Sequence, residues 1–462
     1  MKPLDREILR IAIPSILANI TVPLVGMVDI AVAGHMAAAA AFIGAISVGS
    51  MLFDLLYWNF YFLRAGTAGL TAQAFGRGDM RDCARILVRG AGVAVLIALL
   101  VLALQLPFTK LAFLLVDCPP GVKELALDYF FLRVRAAPAT VTLMALRGWF
   151  IGMQDSVSSM ITDLVVNCVN IVLSIVLTLG AFGWPGMGFK GIALGTVVAQ
   201  YSGLLVAVLI VALKYGRKVF SGFSKEDVAL AFRRSELRSF FSLNSDLFVR
   251  SLGLTSIYVG YTIISARYGA LMLSSGAIMM KLLMIFSFFT DGFAYAGEAL
   301  TGRFVGEGSR ERTRLAVRRV FVWSMSLGVA FIFIYWIAGM PLLRLMSSDG
   351  AVVEACAQFL PWLVLMPPFG CAAFAWDGIY EGATASRPIR DAMLLAALFF
   401  FGFWEAASRL LLPEGSSALA IHILMAAYFV HLLVRTLHLS LKYRRSILEK
   451  PFEDGEAKDG AK

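Results

Sequence analysis

The chain has 462 residues, 59% of them hydrophobic and only 16% charged, with a mean hydropathy of +0.78. Soluble domains carry about 25% charged residues, so this composition excludes an ordinary soluble enzyme or binding module. The net charge of +10 would fit nucleic-acid binding only if the basic residues formed one patch, and they are spread over six loops.

A bilayer core is roughly 30 Å thick and takes about 20 apolar residues per helix. Twelve candidate spans satisfy this, centred near residues 21, 54, 97, 139, 170, 202, 256, 286, 330, 367, 401 and 428. The first superficially resembles a signal peptide. Its apolar run is too long, however, and contains Pro14, Pro23 and Asp29, which predicts a retained helix. Lys2, Arg6 and Arg10 precede it, and Arg77, Arg81, Arg85 and Arg89 follow span 2. Lys214, Arg217, Lys218, Lys225, Arg233, Arg234 and Arg238 follow span 6, and Arg303 to Arg319 supply six more after span 8. Arg387 and Arg390 follow span 10, and Lys442, Arg444 and Arg445 follow span 12. The intervening loops are nearly uncharged. By the positive-inside rule this predicts a multi-pass protein of the cytoplasmic (inner) membrane with both termini cytoplasmic. Five cysteines, Cys83, Cys118, Cys168, Cys356 and Cys371, show neither paired nor metal-binding spacing. The tail from 446 to 462 is charged and is expected to be disordered.

A repeat organises these spans. "LTAQAFGRG" at 70–78 and "LTGRFVGEG" at 300–308 share one frame, 230 residues apart. "GWFIGMQDS" at 148–156 matches "GIYEGATAS" at 378–386 at the same offset, as Pro138 matches Pro368. Three matches at a single offset predict a duplicated unit. Six spans per copy is an even number, so both copies enter the membrane in the same sense. A pseudo-two-fold axis along the membrane normal is then expected, as in secondary transporters. The predicted units are an N-lobe at 1–213 with spans 1–6, a cytoplasmic linker at 214–239, and a C-lobe at 240–445 with spans 7–12.

Ionisable groups inside a span are costly and carry functional hypotheses. Span 1 contains Asp29. Span 5 reads "DLVVNCVNIVLS", with Asp163, Asn167, Asn170 and Ser174 spaced 4, 3 and 4 apart, within about 60° of one helix face. Span 6 adds Thr196 and Gln200. A carboxylate facing such a polar stripe predicts a cation or proton site. Asp54 and Arg64 in span 2 are expected to neutralise each other or a neighbour. In the second half Asp246–Arg250 and Glu405–Arg409 have i,i+4 spacing and are expected to pair. Glu298 in span 8 and Asp377 and Glu381 in span 10 stay open as candidates, because span 10 has no cation of its own. His431 and His438 are expected to be interfacial.

The chain resembles the multidrug and toxic compound extrusion (MATE) transporters, in their DinF-like branch. The resemblance rests on "LRAGTAGLTAQAFGRGD", "VNIVLS" and "GIALGTVVAQ" in the first half. In the second half it rests on "SDLFVRSL", "DGFAYAGEALTGRFVGEG" and "WDGIYEGATASRPIRDAM". It implies an all-α membrane fold of twelve helices in two pseudo-symmetric six-helix lobes forming a V, and a cation-coupled antiporter of organic compounds. Carried over by motif, the cation or proton site falls on Asp29, Asn170, Ser174 and Thr196. Ser174 departs from the branch's "NIVLD", which removes one carboxylate and favours a proton over sodium as the coupling ion. Asp163 and Asp54 are secondary candidates for the lost charge, with Asn167 beside them. Glu298, Asp377 and Glu381 fall where relatives carry C-lobe acids.

The expected cargo is a small organic molecule, cationic or amphipathic, moving against a membrane-lipid background. No cofactor, metal or nucleic acid is expected beside the coupling ion, and the chain is expected to be a monomer. A flippase for lipid-linked saccharides is the competing reading and would call for a cationic lumen. An intramembrane enzyme would need a nucleophile–base pair or clustered metal ligands such as HExxH, and a channel a filter-like loop; none of these occurs.

Overall fold

A computed structural model describes residues 3–36, 38–115, 119–180, 185–412 and 416–452, and all of its regular structure is helical. In chain order the helices are α1 (Pro3–Gly34), α2 (Ala39–Tyr57), α3 (Phe62–Gly76), α4 (Met80–Ala103), α5 (Gln105–Leu115) and α6 (Pro120–Arg133). Next come α7 (Ala137–Gly152), α8 (Ser156–Leu179), α9 (Lys190–Ile210), and the short α10 (Gly216–Val219) and α11 (Lys225–Ala231). Then follow α12 (Arg234–Ala266), α13 (Ala270–Gly306), α14 (Arg310–Met346), α15 (Gly350–Gly382), α16 (Ser386–Leu411) and α17 (Ser417–Tyr443).

Among the described residues eleven helical segments are long and apolar enough to cross a membrane. The twelfth expected span, centred near 139, is α6 and α7 joined by a 3-10 turn at Val134–Ala136. Arg133, Arg135 and Arg147 dilute its apolar character, and the tightened turn contains Arg135 and lies between Arg133 and Pro138. A helical path continues from α17 to Phe452, so 446–452 is ordered rather than the start of a disordered tail. The rest of that tail, and Cys118, lie outside the described residues.

Two compact units form. One is Leu17–Phe240; the other combines Met1–Ile16 with Phe241–Lys462. In the first, Phe53, Tyr129, Phe130 and Val134 build one apolar cluster, and Leu143, Trp149, Phe150 and Tyr215 another. The stretch expected as a linker folds onto this unit. Arg85 pairs with Asp227 at 2.6 Å, while Arg89 bonds the Ala231 carbonyl at 2.7 Å and Glu236 at 2.8 Å. In the second unit Tyr261, Phe286, Phe331, Tyr335 and Phe359 form the core. The start of α1 is held there by Trp323, whose indole donates to Asp5 at 3.2 Å, and by Arg303, 3.3 Å from Glu7.

The duplication is visible in backbone detail. Among the described residues only Gln154 and Thr384 are non-glycine residues with positive φ, at 61° and 54°, and they are 230 positions apart. A Cβ on Gly148 would meet the Arg64 carbonyl oxygen at 2.1 Å, and one on Gly378 the Ala294 oxygen at 2.0 Å. Those contacts are offset by 230 at both ends. In each copy the glycines let the helix that ends in the turn lie backbone against backbone on its neighbour, α7 on α3 and α15 on α13.

Candidate functional site

The site in the first unit begins with the packing of α9 on α8. Gly191, Gly195, Ala199, Gly203 and Ala207 recur every four residues and make one smooth stripe along α9. A Cβ at Gly195 would sit 2.8 Å from the Ser174 amide nitrogen, and one at Gly191 2.6 Å from the Leu177 carbonyl. This close approach puts Thr196 of α9 against the polar face of α8. The Asn170 amide donates to Thr196 Oγ1 at 2.9 Å, and the Ser174 hydroxyl donates to Asn170 Oδ1 at 3.5 Å. Thr196 in turn donates to the Ile192 carbonyl at 3.2 Å. The result is a one-directional chain of neutral hydrogen bonds, Ser174 to Asn170 to Thr196 to the α9 backbone.

Asp29 of α1 lies at the Ser174 end of this chain. It is buried, as are Asn170, Ser174 and Thr196. Its Oδ1 accepts no hydrogen bond among the described residues, while Ser174 and Arg133 are the polar groups acting on it. Asp29, Asn170, Ser174 and Thr196 are therefore together in one buried cluster. The secondary residues of the stripe go elsewhere. Asp163 forms an ion pair with Arg147 of α7 at 2.5 Å, and Asn167 donates to Thr21 of α1 at 2.5 Å. Asp54 lies on the exposed side of α2, and Arg64 stacks over the Tyr61 ring at 4.5 Å.

Arg133 is the residue that sequence reading missed. It closes α6, where the helix tightens into the 3-10 turn, and donates to the Tyr129 hydroxyl at 2.7 Å. Its guanidinium lies over the Phe53 ring at 4.7 Å and within electrostatic reach of Asp29, Tyr57 and Tyr129. The available signal was a basic residue inside span 4, five positions before Pro138.

The second unit holds its own buried charges. Asp377 of α15 is clamped between Arg250 of α12 and Arg435 of α17. Arg250 also approaches Glu381 at 3.6 Å. Two expectations are corrected here, the Asp246–Arg250 pair and the interfacial place of His431. Asp246 does not pair with Arg250; it takes Arg390 and Ser386, each at 2.7 Å, because its one-turn neighbour is drawn to α15. Asp377 and Glu381, left open because span 10 has no cation of its own, take their cations from α12 and α17. Glu298 of α13 is fully buried. Glu405–Arg409 is paired, at 2.5 Å. His431 is not interfacial: it is wholly buried, its Nδ1 2.5 Å from the Tyr428 carbonyl. Among the described residues no group of His, Cys, Asp and Glu is arranged to hold a metal.

The MatE family model matches residues 14–176 and 247–403. The chain is 33% identical over 443 residues to "DNA damage-inducible protein F" of Escherichia coli strain K12, covering 96% of this chain and 92% of that one. It is 24% identical to a "probable multidrug resistance protein NorM" of Photorhabdus laumondii, over 86% and 85% of the two chains. Among solved structures, a MATE in complex with MaD3S superposes with a TM-score of 0.81 at 16% identity, over 96% and 97% of the chains. The eukaryotic MATE transporter AtDTX14 superposes with a TM-score of 0.82 at 16% identity, over 98% of each.

Proposed function

The chain belongs to the MATE family of multidrug and toxin efflux transporters, and from that premise we propose that it is a proton-coupled antiporter. Its cargo is organic, cationic or amphipathic, exported across the cytoplasmic membrane. The observation that carries this reading is one buried carboxylate, Asp29, with an unpartnered oxygen at the end of a chain of neutral hydrogen bonds. A hydroxyl has one proton to give. Ionised Asp29 draws the Ser174 proton to itself. Protonated Asp29 donates to the Ser174 oxygen instead, and Ser174 then donates onward to Asn170. One proton thus changes both the charge of the cavity and the direction of its hydrogen bonds, and a bound organic cation competes with that proton for Asp29. Coupling follows because proton and cargo favour different states of one site.

The test is transport by reconstituted protein under an imposed pH gradient without sodium. Asp29→Asn is expected to abolish it, with a loss above tenfold, while the variant elutes as a folded protein in detergent. Wild-type-level transport by Asp29→Asn would place coupling elsewhere, with Glu298 and Asp377 next in line.

A further inference from the structure

We propose, independently of the coupling ion, that the segment joining α9 to α12 carries a binding site for an anionic phospholipid. Its phosphate sits on Arg234 and Arg238, and an acyl chain lies against Phe232 and Leu237. Arg81, Arg85 and Arg89 recur every four residues on one face of α4. Arg81 reaches the Gly222 carbonyl at 3.5 Å, and Arg85 takes Asp227 at 2.6 Å. Arg89 takes the Ala231 carbonyl at 2.7 Å and Glu236 at 2.8 Å. Two of the three acids between 214 and 239 are thereby committed to α4, and Glu226 is left exposed. Of the seven basic residues in that stretch, Lys214 goes to Asp155 at 2.6 Å. Arg217, Lys218, Lys225, Arg233, Arg234 and Arg238 all stay exposed. Six cations therefore stand against one anion on the outward side.

Apolar side chains lie among these cations. Val228, Leu230 and Phe232 are exposed. A Cβ on Gly92 would meet the Phe232 ring at 2.6 Å, so α4 holds this ring in place although the residue is 39% exposed. Phe232, Arg234, Ser235, Leu237 and Arg238 line a groove of about 810 Å³. Arg234 and Arg238 are one turn apart at the start of α12 and share a face. Guanidiniums match the oxygens of a phosphate. A free phosphate or a nucleotide would use these arginines and leave Phe232 and Leu237 without a role. The segment runs between two candidate membrane spans, Lys190–Val219 and Arg234–Ala266. That places it at the edge of the bilayer, where basic stretches draw anionic lipids.

The probe is phosphatidylglycerol added to the full chain in detergent, against phosphatidylcholine with the same acyl chains. Bound lipid is counted by native mass spectrometry, and the melting temperature is followed in parallel. Phosphatidylglycerol is expected to stay bound and raise the melting temperature, and phosphatidylcholine to do neither. The double variant Arg234→Gln, Arg238→Gln is expected to weaken that binding about 30-fold, as for two basic residues at an anionic surface. Both side chains are exposed, so without lipid it is expected to melt with the wild type. Arg238→Gln alone, expected to lose about 5-fold, decides if the double variant does not fold. Arg314→Gln with Arg318→Gln removes the same charge from exposed positions one turn apart on α14 and is expected to bind as the wild type does. Equal loss in the two double variants, or loss in neither, overturns the site. Glycerol phosphate displacing the lipid at equal concentration would make the ligand a free phosphate compound. A short oligonucleotide doing so would make it a nucleic acid, and either result overturns the lipid assignment.

Discussion

Asp377 is held by two guanidiniums, those of Arg250 and Arg435, and Arg435 is completely buried. Removing one member of a buried ion cluster leaves the others uncompensated, at a cost of about 3–5 kcal/mol. Asp377→Ala is therefore expected to lower the detergent melting temperature sharply and to reduce yield, while Asp377→Asn, which keeps hydrogen-bond acceptance, loses less. Comparing the two melting curves checks this; equal and small effects would mean that the cluster is solvated. The same cluster shows what residue-level reading can and cannot supply. Helical spacing put Asp163, Asn167, Asn170 and Ser174 on one face of span 5, because a periodicity argument concerns a single helix face; the grouping of Asp29 and Thr196 with Asn170 and Ser174 came from the family resemblance. Partners on other helices were out of reach. Asp246 has Arg250 one turn away, yet its acceptor capacity goes to Arg390 and Ser386 of α16.

At the scale of elements, Asp155 shows how one side chain ties two helices. It caps α8 through the Ser158 amide at 3.3 Å and also accepts from the Ser158 hydroxyl and from Lys214 and Tyr215, in the helical turn that continues from α9. Burial opposes its charge, but the hydrogen bonds from Lys214, Ser158 and Tyr215 outweigh that and hold its pKa below the ordinary carboxylate value. A carboxylate whose folded pKa is depressed contributes stability that is fully present above its unfolded value of about 3.9 and fades as pH falls through the folded value. Asp155→Asn still caps the helix but is expected to cost about 1 kcal/mol through loss of the charge-assisted hydrogen bonds from the Ser158 and Tyr215 hydroxyls, with Lys214 adding little because it is half exposed. The mutant and wild-type melting temperatures should converge as pH drops below 4. A difference that persists there would assign the effect to packing. Hydropathy made nearly all of these helices legible in advance. It did not reveal the 3-10 turn at Val134–Ala136, since tightening of a helix leaves no mark on apolar content.

For the whole molecule the duplication makes the strongest claim. The recurrence of glycines at one offset was readable as a pattern in sequence; the left-handed residue and the carbonyl contact that recur with it needed backbone geometry. Gln154 and Thr384 share a conformation that side chains dislike, and Thr384, being β-branched, pays more for it. If the copies arose from one unit with an even number of spans, equivalent turns must lie on the same membrane side. Arg81 and Glu311 are 230 apart, both exposed, each in the first turn of the helix that follows the repeated "LTxxxxGxG" frame. Arg81→Cys and Glu311→Cys, made separately in a chain lacking its native cysteines, are expected to resist a membrane-impermeant maleimide in intact cells. Both should react once the cells are opened if the arginine-rich loops are cytoplasmic, as the positive-inside rule predicts. Labelling of one site but not the other from outside would require an odd number of crossings between them. The two halves would then be inverted copies, and the parallel repeat on which the lobe assignment depends would be lost.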